Sequence, residues 1–329
     1  MTAPTGNPRV SVVVPVRDRR DLLRELLRAL EAQTFRDFEV VVVDDGSSDG
    51  SDSEAEHATI AGRPVRLIRL HRLGTVAARE EGVAAAAADV LAFTDSDCTP
   101  EPEWLSAGMV ALEDGADMVH GRTTPVRPMR TLERSLGAGD EGLFPTCNIF
   151  YRRAAIDAGG GFDRAAARRL GFRMNARARG LAFGEDTLLG WRVSRSGGVV
   201  RYAPDAVVRR HVFPPDFRGW VSHSWMAAAF PALIADVPEL RTRMVRRGVM
   251  FGDRSRIPMY AAGVALAARK PRLAAAATAW WAASRWRELR ATPATLSEQM
   301  AAVPQEMGLD VVTGAALAVG SARARKLLI

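Results

Sequence analysis

Cysteine is nearly missing from this chain. Its two cysteines, Cys98 and Cys147, cannot build a disulfide framework, and no CxxC pair suggests a zinc site. The opening text MTAPTGNPRV has no charged segment followed by an apolar run. No signal peptide is therefore expected, and a reducing, cytoplasmic setting is the default. No apolar stretch reaches the roughly 20 residues that a membrane-spanning helix needs. The first strand-like run ends in PVRDRRD with no glycine, which argues against the GxGxxG turn of a dinucleotide-binding enzyme. Internal repeats are absent. Negative charge is in deficit: 45 Lys and Arg against 38 Asp and Glu leave a net +7. That balance favours anionic partners, whether nucleotides, phosphorylated substrates, an anionic membrane face or nucleic acid.

What is present reads as a globular chain, with 47% hydrophobic and 25% charged residues. Its 329 residues suffice for roughly two subdomains at about 100–200 residues each. RVSVVVPV (Arg9–Val16) is a β-branched run stopped by proline, as expected of a strand buried on both faces. Asp18–Gln33 follows with leucines at 22, 23, 26, 27 and 30, a helical spacing. FEVVVVDD (Phe38–Asp45), VRLIRL (Val65–Leu70) and VLAFT after Asp89 read as further strands, with a helix over Thr75–Ala88. Alternating strands and crossover helices imply an α/β fold with a mostly parallel sheet. Met118–Arg122 and Cys147–Tyr151 are weaker strand candidates, and Asp186–Ser196 is expected to be helical. Beyond Pro214 the text turns helical, which places a boundary there. The expected organisation is 9–122, 123–213 and a helical 214–329.

Ligands of such sheets bind beyond the carboxyl ends of the strands, where three acidic signals fall. VVVVDDGSSDGS puts Asp44 and Asp45 at the tip of the second strand, ahead of small residues suited to a tight turn. Asp95, Ser96 and Asp97 end the fourth strand with two carboxylates two residues apart. Those carboxylates repel, so a cation is expected between them. Mg²⁺ or Mn²⁺ carrying a diphosphate would suit such hard oxygen ligands, and a capped turn is the alternative. Glu185 and Asp186 follow Gly184 at a helix start, where the helix dipole favours carboxylates and where a general base could also stand. His211 ends a strand in AVVRRHVF, and Arg79 lies in the helix TVAARE, within possible reach of a phosphate.

In that order, VSVVVPVRDRRDLLRELLRALEAQTFRDFEVVVVDDGSSDGS, GTVAAREEGVAAAAADVLAFTDSD, CNIFYRRAAIDAGGGFD and FGEDTLLGWRV resemble the family 2 glycosyltransferases, over roughly Arg9 to His211. The resemblance implies a GT-A fold, with a nucleotide-sugar-binding half over 9–122 and an acceptor-binding half over 123–213. It implies that Pro15, Val16 and Arg17 line the base pocket, that Asp45 binds the base and that Arg79 contacts the nucleotide. Asp95, Ser96 and Asp97 match the DxD motif, Asp97 as metal ligand and Asp95 nearer the ribose. His211 resembles a third metal or diphosphate contact. Asp186, with Glu185 beside it, matches the catalytic base of inverting members. The expected donor is a UDP-sugar, with Mn²⁺ or Mg²⁺, and the expected acceptor is a hydroxyl of a glycan, a lipid-linked glycan or a small molecule, with no nucleic acid partner. PVRDR stands where many members carry a tyrosine–asparagine pair, and the processive-synthase motif QxxRW is absent, so a polymerising synthase is not expected.

Two other classes are weighed against transfer. A nucleotidyltransferase would need a glycine-rich loop after the first strand, and a degenerate binding module would not need to retain Asp45, Asp95, Asp97 and Asp186 together. In the C-terminal region, Trp280, Trp281 and Trp286 lie near arginines. Packing onto the protein is the expected role, with a membrane interface or a homodimer seam as alternatives. The expected location is cytoplasmic, with peripheral contact on the inner membrane face as the membrane variant.

Overall fold

The computed structural model describes residues 6–171, 183–214, 216–246, 249–250 and 256–325. Two compact units interleave along the chain. The first comprises 1–126, 136–169 and 184–211, and the second 127–135, 170–183 and 212–329.

The first unit is built on an eight-stranded sheet: β1 Val10–Val16, β2 Phe38–Asp44, β3 Arg66–Arg69, β4 Val90–Phe93, β5 Cys98–Pro100, β6 Met118–Pro125, β7 Ile149–Arg152 and β8 Val200–Arg210. Their spatial order is β3-β2-β1-β4-β7-β6-β8-β5. Strands β3, β2, β1 and β4 are mutually parallel, as are β6 and β8, while β7 and β5 run against their neighbours. Every residue of β1 and β2 is buried, which is why their apolar runs do not alternate.

Seven helices belong to this part of the chain: α1 Arg20–Glu31, α2 Ser51–Glu56, α3 Thr75–Ala85, α4 Trp104–Glu113, α5 Arg153–Ala158, α6 Arg164–Leu170 and α7 Glu185–Arg195. Leu23, Leu26, Leu27 and Leu30 form the buried stripe of α1, at the three-and-four spacing of a helix face. α3 lies close on the sheet because Gly82 has no side chain; a Cβ there would stand 2.3 Å from Val13 Cγ1. Asn148 ties the far half together. It accepts from Trp104 Nε1 at 2.8 Å and donates to the carbonyls of Arg122 and Ala206. Ala206 lies where β8 slips register against β6, between Ala203 and Val207.

β5 was not expected from sequence. It is three residues long, and its pairing with β8 sets Cys98 opposite Arg210. The His211 amide then donates to the Asp97 carbonyl at 2.8 Å. Residues distant in sequence thus meet at the end of the DSD run.

The second unit is mainly helical, with α8 Phe217–Trp225, α9 Phe230–Asp236, α10 Leu240–Met244, α11 Ile257–Ala267, α12 Pro271–Arg290 and α13 Leu296–Ala324. α13 opens on a capping box in which Thr295 and Glu298 satisfy each other's backbone amides. Asp310, on α13, accepts from Arg256 Nε, Trp281 Nε1 and Arg285 Nη2 at 2.7–2.9 Å. Trp281 is fully buried whereas Trp280 is exposed, so the packing and surface readings of these tryptophans fall on neighbouring residues. No described helix is long and apolar enough to cross a membrane.

Candidate active site

The site lies in the first unit, at the carboxyl ends of β1, β2 and β4. Two loops close against each other there. Asp18, with a left-handed φ of 50° that Asp tolerates, accepts from the amide and hydroxyl of Ser48 and donates its own amide to Ser47 Oγ. The amides of Arg19 and Arg20 bind Ser51 Oγ and Asp49 Oδ2. The small residues of DDGSSDGS therefore build the loop that holds the RDRRD segment in place.

Asp44 accepts from the Ser47 amide through Oδ2, while its buried Oδ1 has no hydrogen-bond partner among the described residues. Asp45 accepts from the amides of Leu73 at 2.6 Å and Gly74 at 2.9 Å, fixing the turn that launches α3. Pro15 and Val16 are buried in β1, and Arg17 is exposed at its end. The Val16 carbonyl is engaged by the Asp45 amide.

The DSD carboxylates are bridged by cations supplied by the chain. Arg79, buried in α3, donates to Glu185 Oε1 at 2.6 Å and to Asp95 Oδ1 at 3.2 Å. Arg210, ending β8, lies 3.4 Å from Asp95 Oδ2 and 3.2 Å from Asp97 Oδ2. Arg19 reaches the same Asp97 oxygen at 3.0 Å. The result is a continuous alternating chain: Glu185, Arg79, Asp95, Arg210, Asp97, Arg19. Burial opposes charge on Asp95, but Arg210 and Arg79 outweigh it and hold the carboxyl below its ordinary value. Burial likewise opposes charge on Arg210, and Asp95 and Asp97 reverse the effect and raise it.

Asp186 stands outside that chain. Its hydrogen bonds among the described residues come from the Thr187 amide at 2.7 Å and, weakly, the Thr187 hydroxyl, both onto Oδ1. Burial pushes its pKa up from 3.8 to about 7, and repulsion from Glu185 adds to the rise against the pull of Arg79. Four acids, Asp95, Asp97, Glu185 and Asp186, share three guanidiniums, and Asp186 is the one left over. The Tyr151 hydroxyl is buried without a hydrogen-bond partner among the described residues, and burial followed by Asp186 raises its pKa.

Ser96 is buried between the two aspartates. His211 follows Arg210, and its backbone, as described above, binds Asp97. Among the described residues, no three His, Cys, Asp or Glu side chains group at metal-binding spacing. The donor chemistry of Asp95 and Asp97 nevertheless fits Mg²⁺ or Mn²⁺, which take one or two carboxylates and complete their shell with substrate phosphates and water. Arg19, whose side chain is 36% exposed, is the most displaceable of the three guanidiniums that now occupy those oxygens.

Sequence reasoning missed Arg19 and Arg210. Successive strand residues face opposite ways, so one of the pair Arg209–Arg210 had to turn inward; Arg209 goes outward to Glu101 and Arg210 inward. That alternation was the available signal.

A family profile described as Glycosyl transferase family 2 matches residues 11–174. The Pre-mycofactocin glycosyltransferase of Mycobacterium tuberculosis is 31% identical over 235 residues, covering 65% of this chain and 44% of that protein. The undecaprenyl-phosphate 4-deoxy-4-formamido-L-arabinose transferase of Pseudomonas fluorescens is 37% identical over 115 residues, covering 33% of this chain and 34% of the relative. The chain thus spans less than half the length of each of these relatives. Among solved structures, the mannosyltransferase PcManGT of Pyrobaculum calidifontis, determined with GDP-Man and Mn²⁺, superposes with a TM-score of 0.55 at 17% identity, covering 97% of this chain and 89% of that one. The shared fold is GT-A.

Proposed function

Residues 11–174 belong to the family 2 glycosyltransferases, and from that premise we propose that the chain moves a sugar from a nucleotide-sugar donor, a UDP-sugar in the first instance, to an acceptor hydroxyl with inversion. The observation that carries this reading is the state of Asp186: a carboxylate at a helix start, left out of the ion pairs among the described residues and pushed up to about 7. A general base works best when its pKa lies near the working pH.

In the proposed step Asp186 takes the acceptor proton as the acceptor oxygen bonds to the anomeric carbon. The bond from that carbon to the donor phosphate breaks on the opposite face, and its electron pair leaves with the nucleoside diphosphate. Arg79, Arg210 and Arg19 hold positive charge along the path of the departing diphosphate. Asp95 and Asp97, with His211 as a third contact, would hold a Mg²⁺ or Mn²⁺ ion that offsets phosphate charge. Asp45, Pro15, Val16 and Arg17 line the base subsite in this reading. Glu185, expected beside Asp186 as a catalytic group, acts as a positioning residue because it is ion-paired to Arg79. The halves over 9–122 and 123–213 are the donor and acceptor sides of the reaction.

The Pyrobaculum complex with GDP-Man and Mn²⁺ supports the donor class and the divalent cation, and makes GDP-sugars the second donor set to screen. The undecaprenyl-phosphate transferase supports a lipid-linked acceptor. The deciding experiment screens UDP- and GDP-sugars for nucleoside diphosphate release, then determines the anomeric configuration of the product by NMR. Inversion is expected; a product with retained configuration would overturn the single displacement and the role of Asp186 with it.

A further inference from the structure

The helical unit carries a surface that its own packing does not use. α11 and α12 form a hairpin whose bend, Ala268–Lys270, closes through Arg269 at a left-handed φ of 57°. Within the hairpin, Pro258, Ala262 and Ala265 of α11 and Ala274, Trp281 and Leu289 of α12 are the buried positions. Around the bend, Val264 is 70% exposed, Leu266 63%, Leu273 58% and Trp280 61%. Leu273 and Trp280 are two turns apart and share one face of α12, while Val264 and Leu266 lie about 200° apart on α11.

The charge there has one sign. From Ile257 to Arg287 the sequence contains no acidic residue and five basic ones, Arg269, Lys270, Arg272, Arg285 and Arg287. The three at the bend are exposed, whereas Arg285 is drawn inward to Asp310.

We propose that this bend docks on an anionic lipid bilayer, with Val264, Leu266, Leu273 and Trp280 seated at the boundary between headgroups and acyl chains. Arg269, Lys270 and Arg272 lie among the lipid phosphates. Two features select a bilayer over a protein partner. Apolar side chains surround the bend on more than one side, and an isotropic medium can contact them all, whereas a single protein face covers one. Exposed tryptophan flanked by basic residues also suits the interfacial layer, where an amphipathic ring and cations are both favoured. The contact is interfacial, and it stands whether or not the chain transfers sugar.

The test is flotation of the full chain with vesicles of phosphatidylglycerol and phosphatidylcholine, against vesicles of phosphatidylcholine alone. Binding to the anionic vesicles is expected at low salt and should weaken as salt rises. Each bend charge removed should lower partitioning about fivefold, so Arg269→Gln, Lys270→Gln and Arg272→Gln together should lower it roughly a hundredfold. Leu273→Ala with Trp280→Ala should weaken binding at every salt concentration. All five positions are exposed, so unchanged melting temperatures verify that the variants fold. No flotation at low salt, or binding that survives the triple variant, would overturn the proposal. It would also fail if sedimentation equilibrium found a dimer that dissociates in the Leu273/Trp280 variant, since the face would then belong to a second copy.

Discussion

Replacing Asp186 with Asn removes a proton acceptor while keeping the side chain's size and its hydrogen bond from Thr187. Two effects of opposite sign should follow. The wild-type carboxyl climbs from 3.8 to about 7 on folding, and at about 1.36 kcal/mol per pH unit this amounts to about 4 kcal/mol of penalty on its charged form. Below pH 3.8 the group is protonated folded and unfolded alike, so the substitution should leave stability unchanged there. Above about 7 it is charged in both states, and the whole penalty falls on the native protein. Asp186→Asn should therefore stabilise the fold increasingly as pH rises between those limits, by up to about 4 kcal/mol. Turnover should move the other way, falling about 10²–10⁴-fold with donor binding retained. Wild-type kcat should rise with pH and level off above the carboxyl's midpoint near 7. Urea unfolding at several pH values, alongside steady-state kinetics, reads both effects. Turnover within about tenfold of wild type would refute the base assignment, and a variant less stable than wild type at high pH would refute the account of an uncompensated charge.

Three further outcomes are expected. Arg19→Gln should free Asp97 for a cation, raising Mn²⁺ affinity without donor by about threefold to tenfold while weakening donor binding; calorimetric titration measures both, and unchanged Mn²⁺ affinity would mean that Arg19 does not compete for the site. EDTA should silence transfer until Mn²⁺ or Mg²⁺ is restored, and full turnover in chelator would exclude metal assistance. Gly82→Ala should destabilise the protein by about 1–3 kcal/mol through overpacking, because its new methyl meets Val13 inside van der Waals contact; denaturant titration would show the loss.

The parts of this molecule written in local patterns were legible. β1 and β2 are doubly buried, so Val12–Val14 and Val40–Val43 run without alternation, and α1 declares its buried face through Leu23, Leu26, Leu27 and Leu30. The acidic positions were legible too, because Asp44, Asp45, Asp95 and Asp97 stand at or just beyond strand ends and Glu185 and Asp186 open a helix. Their cations were not. Arg210 meets Asp97 across 113 residues, through the register of a three-residue strand that has no sequence period of its own. For the same reason, the sequence pointed to a metal at the DSD carboxylates and not to Arg210 and Arg19, which also contact them. The interleaving of 127–135 with the chain beyond 212 was hidden as well, since it rests on contacts such as the paired backbones of Arg134 and Phe213.

The distance along the chain between Asp97 and its partner has a consequence during synthesis. A ribosome adds about 5–20 residues per second, so Asp97 emerges several seconds ahead of Arg210. During that interval β1, β2 and β4 can pair, but the carboxylates at their tips have not met the arginine that bridges them, and β6 lacks its neighbour β8. The nascent sheet carries an open edge, and at its acidic tip Arg19 and Arg79 pair with Asp97 and Asp95 singly, with Arg210 not yet there to join the two. Strand β8 is thus a late fastener: its arrival covers the edge and, through Arg210, joins the two carboxylates in the same event. Slowing translation between β6 and β8 would lengthen the exposure of that edge, and the yield of native protein should fall with it.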